Sequence, residues 1–225
     1  MKILGSLVMM LISGIFLQPS GSGAGDIIKL PPPSHKGSMS VEAALKQRRT
    51  VRRFAHRSLD LKQVSQILWA ADGVSDPRGL RTAASAGATF PLEIYLVVGG
   101  RGVADLAPGI YRYRPQDHSL ELMVKGEARP AVARACLNQV WMTEAPIMLI
   151  MAAEFKRCTA RYGERGVMYT HMEAGHVGTN IFLQAEALGL GAGIVGAFED
   201  KGVSQVLKLP GNHEPLLVMP VGYKG

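Results

Sequence analysis

From Met172 to Gly193 the sequence runs MEAGHVGTNIFLQAEALGLGAG, and Glu173 and Glu186 are its only formal charges. A helix this long and this poor in charge has no polar face to give to water, so it belongs at the centre of a fold. It closes on alternating glycines before VGAF. The segments available to surround it are of two kinds. LEIYLVVGG (92–100) is a β-branched run stopped by glycines, and APIMLIMAAE (145–154) reads as a fully buried strand. IYRYRP (110–115) and SLELMVKG (119–126) flank Pro115-Gln116-Asp117-His118 as a hairpin-like pair, and PLLVMPVGY (215–223) is a last strand. Between them lie helices. Ser40 caps VEAALKQRR, and SLDLKQVSQILWAAD (58–72) carries the stripe Leu61, Val64, Ile67, Leu68. ARPAVARACLNQ (128–139) makes a third. Hairpin and helix–helix neighbours exclude a plain βαβ repeat. The pattern predicts an α/β (α+β) domain with a mixed sheet flanked by helices.

At 225 residues and 47% hydrophobic content the chain suits one globular domain, assigned here to residues 40–225. Ahead of it, Lys2, the apolar run Ile3–Leu17 and Ser22-Gly23-Ala24 read as a signal peptide over residues 1–24. That predicts an exported, periplasmic protein, with an uncleaved membrane anchor as the alternative. Residues 25–39, with Pro31-Pro32-Pro33, read as an extended leader. Cys136 and Cys158 are too few for a disulfide framework or a cysteine-rich metal site. Buried free thiols are favoured over a single disulfide formed after export.

The formal charge is +7, and much of it sits in Lys46, Arg48, Arg49, Arg52, Arg53 and Arg57. Nucleic acid, an anionic membrane surface or a phosphorylated ligand would each suit such a cluster, yet no nucleic-acid-binding signature accompanies it. Alone it reads as a solvated helix end. Two further segments change its weight. RTAASAGATFPLEIYLV (81–97) contains small residues that let a backbone approach a flat ring closely. GLGAGIVGAFED (189–200) offers glycine backbone after a helix. It is not a dinucleotide fingerprint, which follows a strand, and no Walker A loop occurs. His171 and His176 lie five positions apart and do not share a helix face as paired metal ligands do, so packing or surface roles are expected. Asn180 reads as a satisfied polar group within the apolar helix.

Together, RRTVRRF, RTAASAGATFPLEIY, GIYRYRPQDHSLELMVKGEAR, ARYGERGVMYTHMEAGHVGTNIFLQAEALGLGAG, VGAFED and PVGY resemble the FMN-dependent nitroreductase superfamily over residues 40–223. The thiazole/oxazole dehydrogenase branch, which includes the oxidase component of streptolysin-type biosynthesis, is the nearer match. The resemblance implies a nitroreductase-like fold with a mixed, largely antiparallel sheet in three layers, an intertwined homodimer and an FMN shared between subunits. It implies that Arg48, Arg49, Thr50 and Arg52 hold the phosphate and the pyrimidine side of the ring. Ser85, Ala86 and Gly87 would reach the same flavin from the partner, and the backbone of Val195, Gly196 and Ala197 would face its N5 edge. Arg161 and Tyr162 stand near the place of a Lys-Tyr pair in azoline-oxidising members; Arg is a poor general base, but Tyr162 can still donate to a substrate. The sequence ends at Lys224-Gly225, without most of the basic tail of many members.

The implied reaction is ping-pong hydride transfer from a reductant such as NAD(P)H to a nitroaromatic, quinone or similar small electrophile. Flavin carries that chemistry, so no catalytic side chain is assigned, and no metal. An azoline-type dehydrogenase is the second reading. A flavin-binding protein without turnover is a rival of another class, because nicotinamide nucleotides are scarce outside the cytosol. A basic surface-binding module is a remote third.

Overall fold

The computed structural model describes residues 26–225; the signal-peptide reading of residues 1–24 lies outside them. The strands are β1 (Ile27–Lys29), β2 (Leu92–Val98), β3 (Gly109–Arg114), β4 (Ser119–Lys125), β5 (Ile147–Ala153), β6 (Leu190–Ala192) and β7 (Glu214–Tyr223). They form one sheet in the order β1-β4-β3-β2-β5-β7-β6, and every pairing is antiparallel. The helices are α1 (Val41–Gln47), α2 (Leu61–Asp72), α3 (Arg129–Ala135), α4 (Phe155–Tyr162), α5 (Arg165–Ala187) and α6 (Asp200–Leu207).

Side-chain alternation along the strands divides the interior into two cores. Leu92, Ile94, Leu96 and Val98 of β2 meet α2 and α5 on one face, with Leu149 and Met151 of β5. Tyr95 and Val97 point the other way, joining Met148 and Ile150 to α3 and α6. A sheet between two helical layers is the α+β architecture expected from the sequence, but it is antiparallel throughout and not mixed. β5 is buried at every position, which its uninterrupted apolar run foretold.

Several boundaries differ from expectation for identifiable reasons. α1 stops at Gln47, because Arg48 leaves helical geometry at ψ 123°. α3 stops at Ala135, and Leu137 and Asn138 turn to positive φ soon after it. Residues 27–29 of the segment read as a leader form an edge strand against β4. β6 lies inside GLGAG, paired with the end of β7.

The 23 residues of α5 span about 34 Å. One stripe, including Ala174, Val177, Gly178, Ile181 and Ala185, is buried against the sheet side, as a central helix requires. The opposite side is open in the single chain, where Met172 is 51% exposed and His176 and Thr179 are exposed with it. Cys136 and Cys158 are buried free thiols, not a disulfide. No helix among the described residues is long and apolar enough to cross a membrane.

Candidate active site

Beyond α1 the chain runs extended, and Thr50 forms a parallel bridge with Ala192 of β6. The Val51 N–H donates to the Ala192 carbonyl at 2.8 Å. Glycine makes this approach feasible. A Cβ on Gly191 would stand 2.6 Å from Val51 Cγ2, and one on Gly193 would stand 2.8 Å from the Trp141 ring and 2.9 Å from the Val51 carbonyl oxygen. Two of the three segments singled out in the sequence therefore meet here: the arginine run and the glycine strand.

The arginines of this run are held by rings and carbonyls. Arg48 lies 5.2 Å from the Phe182 ring centre, Arg52 6.0 Å from Trp141 and Arg57 3.8 Å from Tyr223. Arg49 donates to the carbonyls of Lys46 and Arg48 at 3.0 and 2.7 Å. Among the described residues none of Arg48, Arg49, Arg52, Arg53 or Arg57 has a carboxylate within ion-pair distance. Lys224, by contrast, donates to Glu186 at 2.5 Å. A concentration of guanidiniums with no counter-charge of their own is suited to an anion.

The second segment folds against α4 and α5. Ser85 Oγ accepts from the Phe90 N–H at 2.9 Å, closing a short turn over Ala86–Ala88. Gly87 takes φ +57°, and a Cβ there would lie 2.4 Å from Tyr162 Oη and 3.1 Å from the Arg161 guanidinium carbon. Arg161 donates to the Gly87 carbonyl at 3.3 Å. His176 Nδ1 donates to the Ala84 carbonyl at 3.0 Å, and Asn180 Nδ2 donates to the Thr82 carbonyl at 3.3 Å. Asn180 is thus the satisfied polar group that the sequence suggested.

The two assemblies address different sides of α5. Arg48 stacks on Phe182, six positions beyond His176 and about 240° further around the helix axis. The second half of the glycine segment, beyond β6, occupies another place again. Val195 bridges to Val218, while Gly196 and Ala197 are exposed. Gly196 lines a hollow of about 520 Å³ with Phe155, Val167, His171, Phe198 and Leu216. His171 Nδ1 donates to the Val167 carbonyl at 2.8 Å, so its contact is to its own helix. No group of three potential metal ligands is assembled among the described residues.

The sequence reading missed a buried charge cluster behind the Ser85–Gly87 turn. Arg81 pairs with Asp72, both almost fully enclosed, and stacks 4.3 Å from the Phe90 ring centre. Asp72 Oδ1, Arg81 Nε and both Glu173 carboxylate oxygens have no hydrogen-bond partner among the described residues. Burial raises Asp72 well above the usual carboxylate range, outweighing the pull of Arg81. Burial likewise pushes Glu173 up to about 7; Ser85, Arg81 and His176 oppose this less strongly. Ser85 is close enough to act on that charge, although it is not in hydrogen-bond geometry with it. The one clue in the sequence was an acid inside an otherwise apolar helical stripe.

Glu173 makes stability depend on pH. Its folded pKa lies above the ordinary 4.5, so the native state binds the extra proton and loses stability as pH rises from about 4.5 through 7. Glu173→Gln removes that loss. Urea unfolding is expected to show the variant more stable than the parent by about 3 kcal/mol at pH 8 and equal to it at pH 4. An equal difference at both pH values would contradict a raised Glu173.

Comparison with known proteins places this geometry in context. A family model described as the Nitroreductase family matches residues 45–223. A Methanocaldococcus jannaschii protein provisionally named a nitroreductase is 44% identical over 200 residues, covering 89% of this chain and 98% of its own length. A trifolitoxin operon protein of Rhizobium leguminosarum bv. trifolii is 25% identical over 152 residues, 61% of this chain and 43% of its own. A crystal structure from Ralstonia eutropha, also provisionally named a nitroreductase, superposes with a TM-score of 0.75 at 28% identity, covering 88% of this chain and 90% of the other.

Proposed function

The chain belongs to the nitroreductase family, and from that premise we propose that this oxidoreductase is a homodimer holding one FMN per subunit at its interface. The observation that carries the cofactor is the run of uncompensated guanidiniums beside a strand whose glycines admit no side chain. That donor set fits a phosphate, and the tight backbone approach fits the edge of a flat ring. Arg48, Arg49, Thr50 and Arg52 hold the phosphate and pyrimidine side. Ser85, Ala86 and Gly87 serve the partner's flavin, a division favoured by the different sides of α5 that the two assemblies take. Val195, Gly196 and Ala197 present backbone to the N5 edge.

Bound flavin supplies the hydride chemistry. The chain's own contribution is binding, orientation and charge: a guanidinium near the pyrimidine side stabilises negative charge that develops there on reduction. Substrate stacked in contact with the ring needs no acid–base triad, and positioning does most of the work. Tyr162 and Arg161 border the place where that substrate lies.

The proposed reaction is ping-pong: a reductant such as NAD(P)H first, then a nitroaromatic, quinone or similar electrophile. Initial rates should give parallel double-reciprocal lines, and anaerobic addition of the electrophile should restore the yellow colour that the reductant bleaches. Protein that is bleached but never reoxidised by such acceptors would overturn this reading and favour a flavin carrier. The likeness to the trifolitoxin operon protein supports a second reading, an azoline-type dehydrogenase of the thiazole/oxazole branch. Arg161 weighs against it, because guanidinium does not readily accept the substrate's proton. Cleavage of residues 1–24 and export to the periplasm are proposed with the same enzyme, whose donor there need not be a nicotinamide. After cleavage no membrane insertion is expected.

A further inference from the structure

Where α4 gives way to α5, the sequence ARYGERGVMY builds a ladder of cations and rings. The Arg161 guanidinium lies 5.5 Å from the Tyr162 ring centre, and Arg165 lies 5.8 Å from that of Tyr169. The two tyrosine rings meet edge to face, 5.3 Å apart at 83°. Two glycines make this possible. Gly163 turns the chain at φ +58°. Gly166 lets the first turn of α5 close on α4, since a Cβ there would stand 2.7 Å from the Thr159 nitrogen. Through the Gly87 carbonyl, Arg161 also touches the turn assigned above to the flavin.

Both arginines are exposed, and among the described residues neither has a carboxylate within ion-pair distance, although Glu164 lies between them in the chain. Arg161 gives one N–H group to Gly87, and the remaining guanidinium N–H groups of the two arginines are available to the oxygens of a carboxylate. Tyrosine rings beside it offer a flat aromatic surface. We propose that this ladder recognises the anionic end of the substrate, so that the enzyme prefers planar electron-poor aromatic carboxylates over neutral molecules of the same shape. This rests on the flavin reading, because the ladder is assigned to substrate through its contact with the Gly87 turn.

The test pairs 4-nitrobenzoate with 4-nitrobenzamide as acceptors, with benzoate as a ligand that is not reduced. At low ionic strength the wild-type protein should show a KM at least tenfold lower for the carboxylate, and added salt should narrow the gap. Arg161→Gln/Arg165→Gln should raise the carboxylate KM tenfold or more and leave the amide KM within about twofold. The carboxylate-to-amide ratio of kcat/KM should then approach one, and Arg161→Lys/Arg165→Lys should restore part of it. Calorimetry should show the same weakening for benzoate, a readout that needs no turnover. A yellow, active protein with equal KM for both acceptors overturns this inference and leaves the flavin reading standing. So does a double glutamine variant that binds benzoate as well as wild type. A colourless protein that takes up no added FMN overturns the flavin reading and this inference with it, an outcome distinct from a yellow protein with equal KM values.

Discussion

Arg81→Met is expected to destabilise the folded chain by about 3–5 kcal/mol at pH 8, since it leaves a buried carboxylate without its partner. For a chain of this size that is a fall in Tm of roughly 6–20 °C. Asp72 is 1% exposed, and among the described residues its only close cation is Arg81. Desolvation outweighs the attraction even while the pair is intact, so the pair itself adds no net stability. Removing one half keeps the desolvation and loses the attraction. Met preserves most of the stem that packs near Phe90, so the loss reflects charge more than a cavity. Acidification should rescue the variant, because protonating Asp72 removes the uncompensated charge; the defect should shrink toward pH 5. A second variant separates this account from simple misfolding. Asp72→Leu/Arg81→Met removes both charges and should recover most of the stability lost in the single variant. Chemical denaturation of the three proteins at pH 5 and pH 8 measures it. A double variant as unstable as the single one would show that the pair's geometry, not its charge, is what the fold requires.

The parts of the fold that sequence made legible are those whose local signal and tertiary role agree. β5 was readable because its run is apolar throughout, and β2 because only Glu93 interrupts an apolar, β-branched run that glycines stop. α2 was readable from its stripe and from Asp60, which accepts from the Gln63 N–H at 2.7 Å while the Gln63 side chain accepts from the Asp60 N–H at 3.0 Å. β6 was hidden because its glycines have no strand preference; they are there for the close approach of Val51. β1 is a three-residue edge strand before a proline run, too short for periodicity to register. The start of α5 and all of α4 were obscured by Gly163 and Gly166, which look like loop punctuation but serve helix reversal and helix contact. The site shows the same division. Its three segments were recognisable one by one, whereas the Thr50–Ala192 bridge, the seat of Gly87 on Tyr162, and the Asp72–Arg81–Glu173 cluster join residues far apart or without a shared pattern. No local rule reports such contacts.

Gly87→Glu is expected to weaken FMN binding by at least 100-fold while leaving the chain folded. Three effects act together. Position 87 sits at φ +57°, where a side chain is strained by about 1 kcal/mol. Its Cβ would press on Tyr162 Oη at 2.4 Å, so the turn must move. A carboxylate there also adds negative charge beside a phosphate-bearing ligand. Displacing two backbone donors from the ring costs roughly 1–3 kcal/mol each, enough for the stated loss. Because flavin that binds the assembled site favours assembly by linkage, the variant should also dissociate at higher concentration than wild type. Arg52→Ala should behave differently, staying dimeric while binding FMN more weakly, because in the proposed site it removes one phosphate contact and leaves the Ser85–Gly87 turn intact. Equilibrium dialysis with FMN and light scattering across a dilution series measure both properties, with far-ultraviolet circular dichroism confirming that each variant is folded. A Gly87→Glu protein as yellow as wild type would show that this turn does not approach the flavin.

The most direct measurement of the shared site is made on the unaltered protein: molar mass by light scattering together with acid-released flavin from the same peak. One FMN per chain, with no FAD, in a particle of twice the chain mass is the predicted result. A monomer that carries stoichiometric FMN, or a colourless protein that takes up none when it is added, would contradict it.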